Sequence, residues 1–451
     1  MKVVKFGGSS LATGAQFQKV LDIITADNDR QVVVVSAPGK RFDGDIKVTD
    51  LLKTYADQTI AGANTDEIMT TILARYQEIA QHFSLEDNKI ISQIKQQLVH
   101  LNRVHYPSFN HLYAAFMGNG ELLNAQLLAA IMQEKGIPAN FVSPAELGIT
   151  VTGSPRAARL DPESYHAINQ YHFDDTSLLI VPGFIAYTND GYAATFSRGG
   201  SDITGAILAR GLQADLYENF TDVPAIYSAN PKIVSHPQPI SKMTYREMRE
   251  LSYAGFAVFH DEAIIPVIEA NIPINVKNTN DPQAPGTMIM PNHAIDSENP
   301  VTGIANDNRF AALYLHRYLL NREVGFTLKI LQILATYNVS YEHMPSGIDD
   351  MTIIFDKAQL TPEIKAHISH DLYAIIAPDE LDWLDDYAII MIVGEGMQQH
   401  IGTFSKITSA LAKAGINLPM INQGASQIST MIGVPVDRMN EAVQVIYNAV
   451  F

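Results

Sequence analysis

The chain has 451 residues, with 31 lysines and arginines against 48 aspartates and glutamates and a formal net charge of −17 at pH 7. This acidic balance argues against nucleic acid or an anionic membrane as the main partner, so an anionic ligand would need local cations. The absence of cysteine excludes disulfides, thiolate metal sites and cysteine nucleophiles. The length predicts about three domains.

The first predicted element is an apolar strand that runs into two glycines, Val3-Val4-Lys5-Phe6-Gly7-Gly8-Ser9-Ser10. Glycines at a strand end bring backbone N–H groups close to phosphate oxygens, and Lys5 adds a positive charge. The alternative is an ordinary strand-to-helix turn. No Gly-x4-Gly-Lys-Ser/Thr motif occurs, which argues against a P-loop kinase. With neither a signal peptide nor an apolar run of membrane-spanning length, we expect a cytoplasmic protein.

Short apolar runs alternate with helical stretches over most of residues 1–290, which predicts a catalytic domain of the α/β class with a mostly parallel sheet sandwiched by helices. Three runs are apolar on both strand faces and are predicted to be buried strands: residues 31–35, 178–181 and 272–276. Residues from about 57 to 136 are rich in helix formers and are interpreted as a helical insert. Asp190-Gly191 predicts a hairpin turn within residues 187–192.

Two polar residues in the first third of the chain are candidate substrate contacts. Thr49 would either cap a helix or contact a substrate through its hydroxyl. Glu121 follows Gly118 and Gly120 and is predicted at a helix start. A carboxylate there complements the helix dipole or binds the ammonium group of an amino acid.

The segment Phe196-Ser197-Arg198-Gly199-Gly200-Ser201-Asp202 follows the hairpin and opens another helix. Ser201 or Asp202 could simply cap that helix. Arg198, beside two glycines, offers a planar fork to a carboxylate or phosphate. Asp202 adds no attraction for an anion, and we expect it instead to hold Lys5 in place.

Polar residues also follow a strand predicted at residues 215–219. Thr221, Asp222 and Tyr227 would hold a ribose or a base edge, and Lys232 would reach phosphates. The alternative is a turn-rich loop with an ordinary cap. A proline-rich connector, residues 278–300, then leaves the domain.

The C-terminal part contains an internal repeat with a shift of 77 residues, which aligns residues 310–315 with 387–392 and Lys329-Ile330 with Lys406-Ile407 without a gap. Each copy is predicted as strand, glycine turn, helix, strand, glycine turn, strand. Chance agreement of two generic units is the alternative, but the ungapped register favours duplication. We therefore expect two small α+β domains, residues 301–380 and 385–451, of a kind that pairs through its sheets and holds small molecules in the interface.

Together these motifs resemble the aspartokinases of the amino-acid kinase family. The resemblance rests on Lys5-Phe6-Gly7-Gly8-Ser9-Ser10, Gly120-Glu121, residues 197–202, residues 221–232 and the duplicated tail, in the family's order. The tail is similar to paired ferredoxin-like ACT domains, the second nested in the first, which separates aspartokinases from acetylglutamate, carbamate and uridylate kinases. One position departs from the pattern. The family's common lysine, an ATP contact, falls on Ala257, so that contact is absent or supplied by another residue such as Lys277.

The resemblance implies ATP-dependent phosphorylation of the side-chain carboxylate of L-aspartate, with Mg²⁺ carried by the nucleotide, as the first step towards lysine, threonine and methionine. It implies a monofunctional enzyme that forms a homodimer or higher homo-oligomer through its ACT domains and is inhibited by lysine, threonine or both. The alternatives are a non-catalytic amino-acid sensor and a kinase of another small carboxylic acid.

The resemblance also assigns expected roles to individual residues. Lys5 and Asp202 are the catalytic residues. Aspartate is bound by Thr49, Glu121, Arg198 and Ser201. ATP is bound by Lys5, Gly7, Gly8, Ser9, Thr221, Asp222, Tyr227 and Lys232. The effector is bound by Asn321, Gly325, Phe326, Tyr341, Glu342, Ser346 and Asp349.

Overall fold

The structure, a computed structural model, describes the chain except residues 86–88, 173–175, 198, 224, 257–260 and 293–298. Contacts divide the chain into two units. The first comprises Met1–Ile226, Pro239–Met248 and Ala257–His293, and the second comprises Tyr227–Gln238, Arg249–Phe256 and Ala294–Phe451. The domain boundaries expected from the sequence stay predictions.

In the first unit the strands are β1 (Lys2–Phe6), β2 (Arg30–Val35), β3 (Ala139–Phe141), β4 (Thr150–Ser154), β5 (Ala157–Leu160), β6 (Leu178–Pro182), β7 (Ile185–Thr188), β8 (Ala193–Thr195), β9 (Leu216–Thr221), β10 (Lys242–Thr244), β11 (Ile274–Asn278) and β12 (Thr287–Met290). The helices that begin in it are α1 (Gly14–Thr25), α2 (Val48–Ile60), α3 (Asp66–His82), α4 (Lys89–Leu101), α5 (Phe109–Glu134), α6 (Ser164–Gln170), α7 (Gly200–Gly211), α8 (Tyr245–Tyr253) and α9 (Ile265–Glu269). Short 3-10 helices span Gly8–Leu11 and Asp261–Ile264.

The main sheet has the strand order β10-β12-β11-β9-β1-β2-β6-β3 among the described residues. Its central strands pair in parallel, with Val4 opposite Val33 on β2 and Glu218 on β9, and the described antiparallel pairing is that of β11 with β12. The central strands are buried on both faces, as a parallel sheet covered by helices requires. The predicted α/β class is confirmed.

The predicted hairpin is present in a smaller sheet of order β5-β4-β7-β8. Its arms β7 and β8 pair antiparallel, with Ile185 opposite Thr195. The turn between them places Gly191 at a φ of +81°, in the left-handed region that glycine adopts without strain.

The helical insert is also observed, since α3, α4 and α5 follow one another with no strand among the described residues of 66–134. The predicted helix start at Glu121 is wrong, because Glu121 lies in the middle of the 26-residue helix α5. Glycine is a weak helix former, but Gly120 packs so closely that an added Cβ would lie 2.8 Å from Ala37 Cβ. Packing of α5 therefore overrides the helix-breaking tendency of its glycines.

In the second unit the strands are β13 (Gly303–His316), β14 (Asp350–Asp356), β15 (Glu380–Val393), β16 (Met420–Asn422) and β17 (Ser429–Pro435). The helices are α10 (Phe326–Thr336), α11 (Pro362–Ile375), α12 (Thr403–Lys413) and α13 (Met439–Val450), with 3-10 helices at Leu320–Arg322, Lys357–Gln359, Glu395–Gln398 and Val436–Arg438. The strands form one antiparallel sheet, in the order β14-β13-β15-β17-β16.

The 77-residue shift carries the bounds of β13 onto those of β15 and the bounds of α10 onto those of α12. The two copies differ in their middle strand. The second copy has β16, whereas the first has isolated bridges at His343 and Ser346. Each copy ends in a helix, α11 or α13, that the predicted pattern of each copy omitted. Both copies share one sheet because β13 and β15 pair with each other.

A buried ion pair crosses the main sheet from the start of β2 to β9. Arg30 Nε lies 2.6 Å from Glu218 Oε2, and the two side chains are 9% and 4% exposed. We expect Glu218→Gln to lower the free energy of unfolding by about 3 to 5 kcal/mol, because it leaves a buried guanidinium without its counter-charge. The double variant Arg30→Met with Glu218→Leu should lose much less free energy of unfolding than Glu218→Gln. Urea unfolding measures both.

The matched control is the exposed pair Arg438–Glu441, whose side chains are 35% and 50% exposed. Glu441→Gln should change the free energy of unfolding by at most about 1 kcal/mol. Equal losses for Glu218→Gln and Glu441→Gln would contradict a stabilising role for the buried pair.

Candidate active site

A cavity of about 620 Å³ opens at the carboxyl edge of the main sheet. The loops that follow β1, β2 and β9 all reach it, because the carboxyl ends of parallel strands meet at one edge. It is lined by Gly8, Ser9, Ser36, Ala37, Pro38, Gly39, Lys40, Arg41, Phe42, Asp43, Lys47, Thr49, Glu121 and Asp222. The structure thus brings together Gly8, Ser9, Thr49, Glu121 and Asp222, which the sequence had predicted as site residues.

The loops after β1 and β2 touch through their backbones. Gly39 N donates to Gly8 O at 2.8 Å. An added Cβ on Gly39 would lie 2.6 Å from Gly8 C, and one on Gly8 would lie 2.8 Å from Ala37 O. Only glycine permits this approach at both positions, so the glycine turn also serves packing between two loops.

Lys5 and Asp202 form an ion pair beside the glycine turn. Lys5 Nζ lies 2.7 Å from Asp202 Oδ1, and the side chains are 10% and 15% exposed. Asn219 lies opposite Lys5 on β9 and donates its Nδ2 to the same carboxylate at 2.6 Å. The contact that the sequence predicted is present, while its catalytic role stays a prediction.

Asn219 is a site residue that the sequence analysis missed. The clue was a polar side chain next to Glu218 in a strand that is buried through its middle. The proposed caps of α7 are not observed, because Gly199 precedes the helix in a left-handed conformation and neither Ser201 nor Asp202 caps it. Ser201 is buried next to Gly183, where an added Cβ would lie 2.6 Å from Ser201 Cβ.

Glu121 is a buried carboxylic acid, 5% exposed. Burial raises its pKa to about 8, although a hydrogen bond from the backbone of Ala37 opposes that rise. Its Oε2 finds no hydrogen-bond partner among the residues that the structure describes. The structure therefore leaves a buried, unpaired carboxyl oxygen on a residue that lines the cavity, and the raised pKa favours its protonated form at neutral pH.

Thr49 reaches the cavity from the first turn of α2. Lys47 is the N-cap residue, and the hydroxyl of Thr49 does not cap the helix, so that alternative is wrong. Thr221, the last residue of β9, donates its Oγ1 to Asp222 Oδ1 at 3.2 Å. Gly7 N donates to Phe220 O at 3.1 Å, so the turn after β1 is bonded to the end of β9.

Of the five remaining residues discussed for the kinase part, the structure describes Tyr227, Lys232 and Lys277. Tyr227 and Lys232 belong to the second unit, where Lys232 N donates to Asn230 Oδ1 at 3.0 Å. Arg198 and Ala257 lie outside the described residues. Lys277 is half-buried on β11.

Three cations of the loop after β2, Lys40, Arg41 and Lys47, line the cavity and were missed from the sequence. The clue was the pair Lys40-Arg41 directly after Gly39, a few residues beyond a buried strand.

The predicted effector residues occupy the first copy of the repeat. Asn321 N donates to Ile348 O at 3.2 Å, and Asp349 Oδ1 accepts from Leu319 N at 2.7 Å, which joins the loops that carry Asn321, Ser346 and Asp349. Gly325 precedes α10 at a φ of +80°.

Three other effector candidates have different surroundings. Phe326 is buried in the hydrophobic core between α10 and the sheet. Tyr341 is 46% exposed. The carboxylate of Glu342 accepts a hydrogen bond from the hydroxyl of Tyr253, which belongs to the same unit. A ligand ammonium at Glu342 would compete with that hydroxyl.

The model of the amino acid kinase family matches residues 1–278, and an ACT domain model matches residues 390–450. Aspartokinase 3 of Bacillus subtilis is 47% identical over 451 residues, covering 100% of this chain and 99% of that protein. The chain belongs to the aspartokinases of the amino acid kinase family. Among solved structures, the aspartate kinase of Clostridium acetobutylicum is similar over 100% of both chains, with a TM-score of 0.87 at 37% identity.

Escherichia coli aspartokinase III shares the aspartokinase fold. Its complex with aspartate and ADP gives a TM-score of 0.77 at 23% identity, covering 100% of both chains. Its complex with lysine and aspartate gives 0.75 at 24% identity, covering 100% of this chain and 99% of that one.

The raised pKa of Glu121 makes the stability of this aspartokinase depend on pH. Between the ordinary pKa of 4.5 and about 8, the unfolded chain loses a proton that the folded chain keeps. Stability of the ligand-free wild type therefore falls as pH rises through that window. We expect Glu121→Gln to remove this fall and to gain roughly 1 to 4 kcal/mol over the wild type by pH 8.

Urea unfolding at pH 5.0, 6.5 and 8.0 measures this difference. Glu134→Gln on the same helix is the control, because Glu134 is exposed and its substitution should give a constant offset from the wild type. Parallel pH curves for Glu121→Gln and the wild type would show that Glu121 is ionised in the folded chain.

Proposed function

We propose that this chain transfers the γ-phosphoryl group of ATP to the side-chain carboxylate of L-aspartate, giving 4-phospho-L-aspartate. The observation that carries the proposal is the ion pair of Lys5 with Asp202 at a glycine turn beside a cavity that also presents Glu121 and Thr49. A cation and backbone N–H groups suit phosphates, and a buried carboxyl suits an ammonium group. Groups suited to both substrates therefore lie at the same edge of the sheet.

Lys5 stabilises the negative charge that develops on the transferred group, and Asp202 with Asn219 holds its ammonium in position. The backbone of Gly7, Gly8 and Ser9 borders the phosphates. The substrate carboxylate is already ionised at neutral pH, so the reaction requires no general base. Catalysis consists of positioning and charge stabilisation.

Magnesium would arrive with the nucleotide. No group of three or more acidic or histidine side chains able to hold a metal is found in the part of the chain that the structure describes. Mg²⁺ usually keeps several waters and binds through substrate phosphates with one or two carboxylates, and Asp222 at the cavity is the carboxylate we assign to it. The ion would neutralise phosphate charge during transfer.

Glu121 would receive the ammonium group of aspartate. Its unpaired Oε2 gains a charge-assisted hydrogen bond, and the nearby positive charge lowers its pKa, so binding of aspartate releases a proton. Thr49 and Arg198 would contact the carboxylates.

We also propose that the C-terminal repeat mediates regulation and assembly. The ACT tail would bind lysine, threonine or both near Asn321 and Asp349, and two or more chains would associate through it. The lysine complex of the Escherichia coli relative supports an amino-acid effector.

No helix among the described residues is long and apolar enough to cross a membrane. The cytoplasmic location stays a prediction.

ADP release from Mg-ATP, coupled to NADH oxidation, tests the substrate. We expect release that depends on L-aspartate and that falls when lysine, threonine or both are added. Turnover with acetylglutamate, carbamate or UMP but not with aspartate would contradict the proposal. Binding of lysine without any aspartate-dependent turnover would favour the non-catalytic sensor.

Substitutions at the ion pair test the catalytic assignment. We expect Lys5→Met to lower kcat by about 100-fold or more, because it removes a charge aimed at the transferred group. Asp202→Asn should lower kcat by about tenfold, since Lys5 keeps its charge but loses its ionic partner. Steady-state kinetics of both variants are compared with Lys53→Gln, an exposed lysine on α2. An unchanged kcat in Lys5→Met would refute the role of Lys5.

A further inference from the structure

One wall of the cavity is the loop of residues 39–47, here called the basic loop, which connects β2 to α2. It contributes Lys40, Arg41 and Lys47 to the cavity lining. These cations line the same cavity as Gly8 and Ser9 of the turn after β1 and Asp222 beyond β9. A chain with a net charge of −17 needs such local cations to hold an anion.

The three cations differ in what they contact. Arg41 donates from Nε and Nη2 to Asp45 at 2.9 and 3.1 Å and from Nη1 to Glu78 at 2.7 Å. Its guanidinium is therefore occupied within the protein. Lys40 and Lys47 are exposed, and neither forms a side-chain hydrogen bond or ion pair with any residue that the structure describes. Their ammonium groups are available to a ligand.

Both ends of the basic loop are tied to one buried side chain, Arg75 on α3, which is 4% exposed. Arg75 Nη2 donates to Gly39 O at 2.6 Å, and Nη1 donates to Ile46 O at 2.8 Å. Nη1 also lies 3.3 Å from Asp45 Oδ2. One planar guanidinium thus fixes the positions from which Lys40 and Lys47 extend.

The next residue of α3, Tyr76, contacts a second part of the cavity lining. Tyr76 donates its hydroxyl to Gly120 O at 3.0 Å, next to Glu121 on α5. Consecutive residues of α3 therefore bind the loop that carries the free cations and the helix that carries the buried carboxyl.

We propose that Lys40 and Lys47 bind an anionic oxygen group in this cavity, and that Arg75 is the positioning residue that holds the basic loop in its binding conformation. The group is a carboxylate of the acidic substrate or the terminal phosphate of the nucleotide. This inference rests on the proposed function, because that function places both anions in the cavity. Ammonium groups on flexible lysine stems suit an anion that must leave after each turnover.

Lys40→Gln and Lys47→Gln test the ligand contact, with Lys53→Gln as the control because Lys53 is exposed on α2 and does not line the cavity. We expect each cavity variant to raise one Michaelis constant by about fivefold to tenfold, the loss expected for a charge-assisted contact, and to change kcat less. A rise in KM for aspartate identifies the carboxylate, and a rise in KM for Mg-ATP identifies the phosphate. Lys53→Gln should match the wild type.

Arg75→Met and Arg75→Lys test the positioning role. Both variants should raise the same Michaelis constant as the lysine variants. Methionine has no hydrogen-bond donor for the two carbonyls, and the single ammonium group of lysine cannot bridge them as a guanidinium does. Both should also speed tryptic cleavage within the basic loop at Lys40, Arg41 or Lys47. Thermal unfolding of each variant separates this effect from a general loss of stability.

The outcomes distinguish this inference from the proposed function. A wild type without aspartate-dependent ADP release refutes the proposed function. Unchanged Michaelis constants in both lysine variants of an active enzyme overturn the inference alone. Calorimetric titration with aspartate and with AMP-PNP, a non-hydrolysable ATP analogue that keeps the terminal phosphate, repeats the comparison without turnover. Equal affinities of wild type, Lys40→Gln and Lys47→Gln for both ligands also overturn the inference.

Discussion

The direct backbone contact between Gly8 and Gly39 sets the geometry of the cavity. The strands that precede these glycines are parallel neighbours, so their loops emerge at the same edge of the sheet. With no Cβ between them, the turn beside Lys5 and the start of the basic loop lie in hydrogen-bond contact. Gly120 has the same effect on α5, where an added Cβ would lie 3.2 Å from Leu52 Cδ1 on α2. Close backbone approach therefore brings Lys5, the basic loop and Glu121 around one space.

Neither Lys5 nor Glu121 is left as an unpaired buried ion before a ligand binds. Lys5 is paired with Asp202, so a mostly buried ammonium keeps both its orientation and a counter-charge. Glu121 has no counter-ion among the described residues and instead keeps its proton, which removes the large cost of burying a lone carboxylate. In the proposed function, the ammonium group of aspartate would supply the missing partner.

Much of the fold and part of the candidate site could be predicted from local sequence motifs. The buried strands, the hairpin and the 77-residue repeat could be predicted because each depends on a pattern within a few residues or on a fixed shift. Asn219 and Arg75 were missed because their importance lies in contacts with residues 17 and 36 positions away. Glu121 was placed at a helix start because the glycines before it were interpreted as breakers. Tertiary packing, which no local pattern contains, makes those glycines part of the helix.

Arginine and lysine have different roles at the basic loop, and the difference follows from their chemistry. Arg41 and Arg75 bind oxygens inside the protein, where a planar guanidinium with several fixed donors can join two groups at once. Lys40 and Lys47 carry compact charges on flexible stems and remain unpaired in the described structure. A guanidinium in place of either lysine would bring a planar fork able to bind Asp43 or Asp222, two of the acidic side chains that line the cavity. The arginines thus determine where the loop lies, and the lysines leave its positive charge available to the ligand.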